Sequence, residues 1–220
     1  MNVNIYINCV NILPVVSTKF LGVVIDSQLT WKFHIEQMER KIASSVGVLR
    51  RIRDKINAKT ACMIYNTMIL PYLNYCNIIW ASTYKTKMHK IHVLQKKAMR
   101  IIARAESRAS SIPIFYSLKK LTIYDINKMH IANFMYLLQN NLLPSVVQNT
   151  FAVDKPSHDY NTRSRERLCI PFTRLTCYAF HPHIMGPRIW NDIPYQIQKS
   201  LSYASFKMLY RKMLLSKYMN

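Results

Sequence analysis

From Trp31 onward, apolar residues recur every three or four positions: Trp31, Ile35, Met38, Ile42, Val46, Leu49, Ile52 and Ile56. That spacing predicts one long helix with a single buried face. Its other face carries Lys32, Arg40, Lys41, Arg50, Arg51, Arg53 and Lys55. Ahead of this helix the period is two. Val3, Ile5, Ile7 and Cys9 alternate with Asn2, Asn4, Tyr6 and Asn8, as in a half-buried strand. After Pro14, the β-branched run from Lys19 to Asp26, with Gly22 inside it, predicts a second strand. The two strands are expected to pair as a hairpin. A lone hairpin is marginal and needs further cover, so the chain is expected to begin inside a sheet whose other strands it does not contain.

Downstream the pattern stays helical. Asn57 is placed to cap a helix from Ala58 to about Leu70, and Pro71 should break or kink it before Tyr72 to Ala81 continues. A third helix is predicted from Lys85 to Ala105, buried along Met88, Ile91, Leu94, Ala98, Ile101 and Ile102. Ile112 to Leu121 reads as a short helix, and Thr122 with Asp125 as a capping box for one reaching Asn140. From Leu143 to Arg167 polar residues dominate without a period, which predicts a loop or linker. Leu168 to Phe180 is expected to form two short strands, and Ser202 or Ser205 to cap a last helix.

Charge changes this picture most. Of 220 residues, 31 are Lys or Arg and 10 are Asp or Glu, a formal net charge of +21. Such an imbalance repels itself unless an anion is bound. Nucleic acid is the commonest partner of that kind and an anionic membrane surface the second. The helices around positions 40 to 55 and 85 to 104 carry few acids, so their basic faces are read as phosphate contacts, through Lys41, Arg50, Arg51, Arg53, Lys96, Lys97, Arg100 and Arg104. Only three glycines and 12 methionines argue for a mainly helical body over a turn-rich β-sandwich. The opening MNVNIYINCV lacks a signal peptide's features, and no stretch approaches the apolar length of a membrane span. The five scattered cysteines then read as reduced thiols in a nuclear or cytoplasmic protein.

Five stretches in order, KFLGVVID leading into K-I-x-x-x-x-G-x-L-R-R-I-R, MIYNTMILPYLNYCNIIWAS, IHVLQKKAMRII, HDYNTRSR and GPRIWNDIP, resemble the end of the reverse transcriptase of non-LTR (LINE-type, jockey-like) retrotransposons. The resemblance covers nearly the whole chain. It implies that residues 1–30 end a palm sheet, with Phe20, Leu21 and Gly22 in a primer grip. It further implies that 31–141 form a helical thumb, followed by a linker with short strands over 142–200 and a terminal helix over 201–220. The expected fold is mainly α with a small β part: a palm-sheet hairpin, a thumb-like bundle and an irregular tail ending in a helix.

Polymerase chemistry needs carboxylates close enough to hold two Mg²⁺ ions. No two acids are adjacent here and no Y-x-D-D turn is present. The family's order would put that turn before Met1, so this chain alone is expected to be catalytically inactive and to hold no cofactor, the Mg²⁺ belonging to a missing upstream part. Expected partners are an RNA–DNA or DNA duplex backbone and the upstream polymerase and endonuclease parts. Two rival readings stand beside it, an independent basic nucleic-acid-binding module and a membrane-surface protein. Asp26 reads as a strand-end turn residue rather than a metal ligand, and His34 as packed against the strand. Cys169, Cys177, His181 and His183 lack the C-x₂₋₄-C pair of a structural zinc site. Trp31, Trp80 and Trp190 sit in apolar stripes and read as core anchors.

Overall fold

The computed structural model describes residues 5–8, 10–151, 167–174 and 178–219. The HDYNTRSR stretch and Cys177 lie outside the described residues. Two antiparallel hairpins open the chain: β1 (Ile5–Ile7) pairs with β2 (Val10–Ile12), and β3 (Ser17–Phe20) with β4 (Val23–Asp26). The expectation of one strand over Lys19 to Asp26, paired with the first, is therefore corrected. The chain reverses at Leu21 and Gly22, whose φ values of 45° and 83° are the positive pair of a tight hairpin turn. Glycine enters that region freely, but leucine does so at a cost.

The body is helical. Its order is α1 (Lys32–Ile52), α2 (Ala58–Met68), α3 (Leu70–Asn74), α4 (Asn77–Trp80), α5 (Lys85–Ile102) and α6 (Ser111–Ser117), then α7 (Ile123–Gln139), α8 (Ser145–Thr150), α9 (Pro182–Asn191), α10 (Tyr195–Gln198) and α11 (Tyr203–Ser216). The apolar stripe of α1 is buried as its period requires, with Ile42 and Leu49 fully covered. One continuous hydrophobic cluster runs from Ile35 on α1 to Leu214 on α11. Trp80 and Trp190 lie inside it and Trp31 packs against its edge, so all three are core residues.

Caps explain most boundaries. The Asn57 side chain accepts the Thr60 N–H at 2.8 Å, and Ser202 accepts that of Ser205 at 3.2 Å. Pro71 stands at the start of α3, and the chain breaks step at Ile69 just before it. At α7, Thr122 Oγ1 accepts the Asp125 N–H at 3.3 Å, but the return bond of a capping box is replaced. The Asp125 carboxylate accepts the Tyr218 hydroxyl, and Thr122 N–H donates to that same hydroxyl at 3.0 Å. The chain's last residues are thus fastened to the start of α7.

Two tail expectations differ from the structure. Within Leu168 to Phe180, residues 168–174 form no strand and Tyr178–Phe180 is a single 3₁₀ turn. Asn191 holds the extended part instead, its side chain exchanging two 2.9 Å hydrogen bonds with the Leu168 backbone. Among the described residues of the expected linker, Ser145–Thr150 form a short helix, α8.

Candidate nucleic-acid interface

Three contacts fix the relation of the two basic helices. Lys87 Nζ donates to Thr30 O at 2.9 Å, Lys90 Nζ lies 3.8 Å from Glu39, and Arg104 Nη2 donates to Ile56 O at 3.1 Å. The pairs climb in step, so α1 and α5 run parallel and their C-terminal ends lie together. Segments 50–59 and 96–108, which meet there, contain ten Lys or Arg and two acids, Asp54 and Glu106. Neither acid is in an ion pair among the described residues, whose two pairs are Lys90–Glu39 and Lys128–Asp125. Part of this positive charge offsets the partial negative charge of two helix C-termini. Most of it is surplus.

The eight basic candidates do not share one environment. Arg50 and Arg51, in the last turn of α1, and Lys97 on α5 are exposed. Lys41 is exposed too, its ammonium 5.3 Å from the centre of the Tyr72 ring. Lys96 is half-buried. Arg53 is also half-buried, and its Nε meets no acceptor. Arg100 Nε donates to Ala109 O at 2.9 Å, closing the turn after α5. Arg104 lies beyond α5 rather than on its exposed face, as the sequence had implied. Its φ of 52° ends the helix, and the Ala105 N–H reaches back to Arg100 O at 3.0 Å. Its guanidinium caps the carbonyls after α1. Arg100 and Arg104 therefore carry structural hydrogen bonds as well as charge.

Phe20, Leu21 and Gly22 form the tip of the β3–β4 hairpin, with Phe20 62% and Leu21 74% exposed. Tyr75 supports the tip from below. Its hydroxyl donates to Leu21 O, and its ring lies 3.5 Å from where a Cβ on Gly22 would stand. The hairpin leads into the N-terminal end of α1, whereas the basic cluster lies at its C-terminal end.

Asp26 and His34 fasten the hairpin to α1. The Asp26 carboxylate, 5% exposed, accepts backbone N–H groups of Gln28, Thr30 and Trp31 at 3.2, 2.9 and 2.8 Å. Burial alone would raise its pKa, but these amides hold it below the usual value. It is a turn residue, as read. His34 Nδ1 accepts the Val24 N–H at 3.3 Å, and its ring meets the Trp80 ring edge-on at 5.4 Å. Burial, then the charge of Lys41, pushes its pKa down. His181 caps α9 through its own Nδ1, and Cys169 is exposed.

The sequence reading missed Gln95. It is fully buried, donating to Tyr65 Oη and Leu121 O at 2.9 Å each and accepting the Ile123 N–H at 2.8 Å. One amide thus ties α5 to α2 and to the start of α7. Its place beside the basic face of α5 hid it.

These features define a helical protein with a surplus of positive charge at one end of a parallel helix pair. The chain is similar to RNA-directed DNA polymerases of non-LTR retrotransposons, which bears out the resemblance read from its motifs. Over 178 residues it is 24% identical to the probable RNA-directed DNA polymerase from transposon X-element of Drosophila melanogaster, a match covering 78% of this chain and 19% of that protein. Over 90 residues it is 29% identical to the RNA-directed DNA polymerase from mobile element jockey of Drosophila funebris, covering 40% of this chain and 10% of that one. The chain thus spans at most about a fifth of the length of these curated relatives. No family model matches it, and no solved structure does.

Proposed function

We propose that the chain serves as the part of a non-LTR retrotransposon RNA-directed DNA polymerase that grips the primer–template duplex by its backbone. The observation that carries this is the unneutralised basic end of the α1–α5 pair, where Arg50, Arg51 and Lys97 stand free in solvent. Such an end binds phosphates without reading sequence. The exposed hairpin tip, Phe20 to Gly22, supports a second contact with the same backbone. In this reading the paired carboxylates and Mg²⁺ ions of the polymerase lie in a part outside these residues. Leu13, Val15, Val16, Phe20 and Leu21, all at least 62% exposed, would be covered by that part.

The membrane-surface alternative fares worse on one observation. A helix lying in a lipid interface must offer its apolar face to the lipid. The apolar faces of α1 and α5 are spent against each other and the core, Ile42, Leu49, Ile91 and Ala98 being fully buried. No described helix is long and apolar enough to cross a membrane either.

Fluorescence anisotropy with a labelled RNA–DNA hybrid, titrated with salt, tests the reading. Binding should weaken linearly in log–log form. Changing Arg50, Arg51 and Lys97 together to Gln should reduce the slope by about 2 to 3, at roughly 0.9 per phosphate contact. A folded chain that does not bind the hybrid at low salt would overturn it.

A further inference from the structure

The stretch from Pro71 to Trp80, PYLNYCNIIW, carries two aromatic residues that the basic end does not use. Tyr75 follows α3 and Trp80 ends α4, with a turn at Cys76 (φ 47°) between them. Across that turn the Trp80 Nε1–H donates to Tyr75 O at 2.7 Å. Trp80 is fully buried, whereas Tyr75 is 52% exposed. A core residue thus anchors a surface one.

Both residues reach the β3–β4 hairpin. The Tyr75 hydroxyl donates to Leu21 O. The three atoms nearest to where a Cβ on Gly22 would stand all belong to the Tyr75 side chain, at 3.5 to 3.9 Å. On its other side the Trp80 ring meets His34, whose Nδ1 accepts the Val24 N–H at 3.3 Å. The hairpin is held at two points, its turn by Tyr75 and its returning strand by His34, and Trp80 stands behind both. The turn needs such a hold. Leu21 and Gly22 lie between the paired Phe20 and Val23, and both have positive φ, 45° and 83°. Asn-Gly forms a two-residue turn of that kind readily, because asparagine tolerates the left-handed region. Leucine disfavours that region, so Leu21 gains nothing from the observed pose on its own.

We propose that Tyr75 is a positioning residue for the duplex grip: its hydroxyl and ring fix the Leu21–Gly22 turn in the pose in which the hairpin tip meets the sugar–phosphate backbone. Tyr75 acts through the turn rather than on the nucleic acid. The proposal rests on the reading of the tip as a second duplex contact, and it gives the Tyr75–Trp80 pair a task beyond packing.

Anisotropy of the full chain with the labelled RNA–DNA hybrid, together with amide exchange across β3 and β4, tests it. Tyr75→Phe removes the hydroxyl and keeps the ring, and because the side chain is half exposed the fold should hold. It should speed exchange in the hairpin and weaken hybrid binding, each about fivefold, the equilibrium effect of one hydrogen bond. The salt slope should not change, since no phosphate-neutralising charge is lost. Leu21→Asn in the Tyr75→Phe background should restore both quantities, because Asn-Gly adopts the turn unaided. Leu21→Asn alone should bind as the wild type does. A tyrosine that only stabilised the fold would lower the Tm of Tyr75→Phe and leave the hybrid affinity of its folded molecules unchanged. Absence of hybrid binding by the folded wild-type chain overturns the duplex reading itself. Binding by the wild type with unchanged affinity or unchanged hairpin exchange in Tyr75→Phe, or without rescue by Leu21→Asn, overturns this proposal and leaves that reading in place.

Discussion

Gly47 sits in mid-helix on α1 with no local reason to be glycine. A Cβ built on it would meet nothing within 4 Å. Relative to alanine, glycine in a helix interior costs about 1 kcal/mol, and here nothing in the fold offsets that cost. Arg50 and Arg51 follow it by three and four residues, which puts all three on one face. A flat spot framed by two arginines is what a close-lying sugar–phosphate backbone needs. Gly47→Ala should therefore stabilise the chain by about 1 kcal/mol, a rise in Tm of roughly 2–4 °C for a chain this long. It should also weaken hybrid binding by about 1 kcal/mol, roughly fivefold in Kd, because the methyl group holds the phosphates off both guanidinium groups. Thermal melts by circular dichroism and anisotropy at fixed salt measure the two. A higher Tm with unchanged Kd would refute the claim that the duplex lies across this turn. A lower Tm would refute the claim that the space around Gly47 is open.

Three further outcomes follow from buried polar groups. Gln95→Leu strands the Ile123 N–H, the Leu121 carbonyl and the Tyr65 hydroxyl, and should cost about 3 kcal/mol in a denaturant titration. Asp26→Ala frees three backbone N–H groups at the entry to α1, and should cost about 2 kcal/mol, with fraying of the β3–β4 hairpin visible in amide exchange. His92, wedged beside the Tyr124 ring at 4.9 Å, has its pKa pushed down to about 4, first by burial and then by Lys96. Its folded value lies below the unfolded 6.5, so the unfolded chain takes up the proton first and stability falls as pH drops from 6.5 toward 4. His92→Phe should flatten that fall, and an identical pH profile for both chains would refute it.

The elements read correctly are those whose signal is local. The buried stripe of α1, the Asn57 cap and the Ser202 cap need only neighbours within one or two turns. What escaped depends on residues far apart. Leu21 carries no turn signal, yet it adopts a positive φ above a tyrosine 54 positions away. Leu168 to Phe180 reads as two short strands, but over residues 168–174 no described strand pairs with it, and Asn191 takes up the Leu168 backbone instead. The basic candidates were legible from composition as a set. Their division was not, because only the parallel pairing of α1 and α5 turns Arg104 into a cap and leaves Arg50, Arg51 and Lys97 free.

Salt separates the two consequences of that charge. With 31 basic residues against 10 acids, the folded chain repels itself. Added salt shortens the screening length from about 10 Å at 0.1 M to about 3 Å at 1 M, which weakens repulsion across the α1–α5 end. Folding should gain from it: Tm should rise steadily from about 0.1 M to 1 M chloride. Hybrid binding should lose over the same range, because released counter-ions drive it. A protein whose basic residues were balanced by surface acids would show neither trend strongly. Bound hybrid at low salt should raise Tm as well, since a ligand of the folded state alone stabilises it. Tm against salt should then fall and rise again when hybrid is present, and rise throughout when it is absent. Parallel curves with and without hybrid would mean that the charge surplus is not a duplex-binding surface.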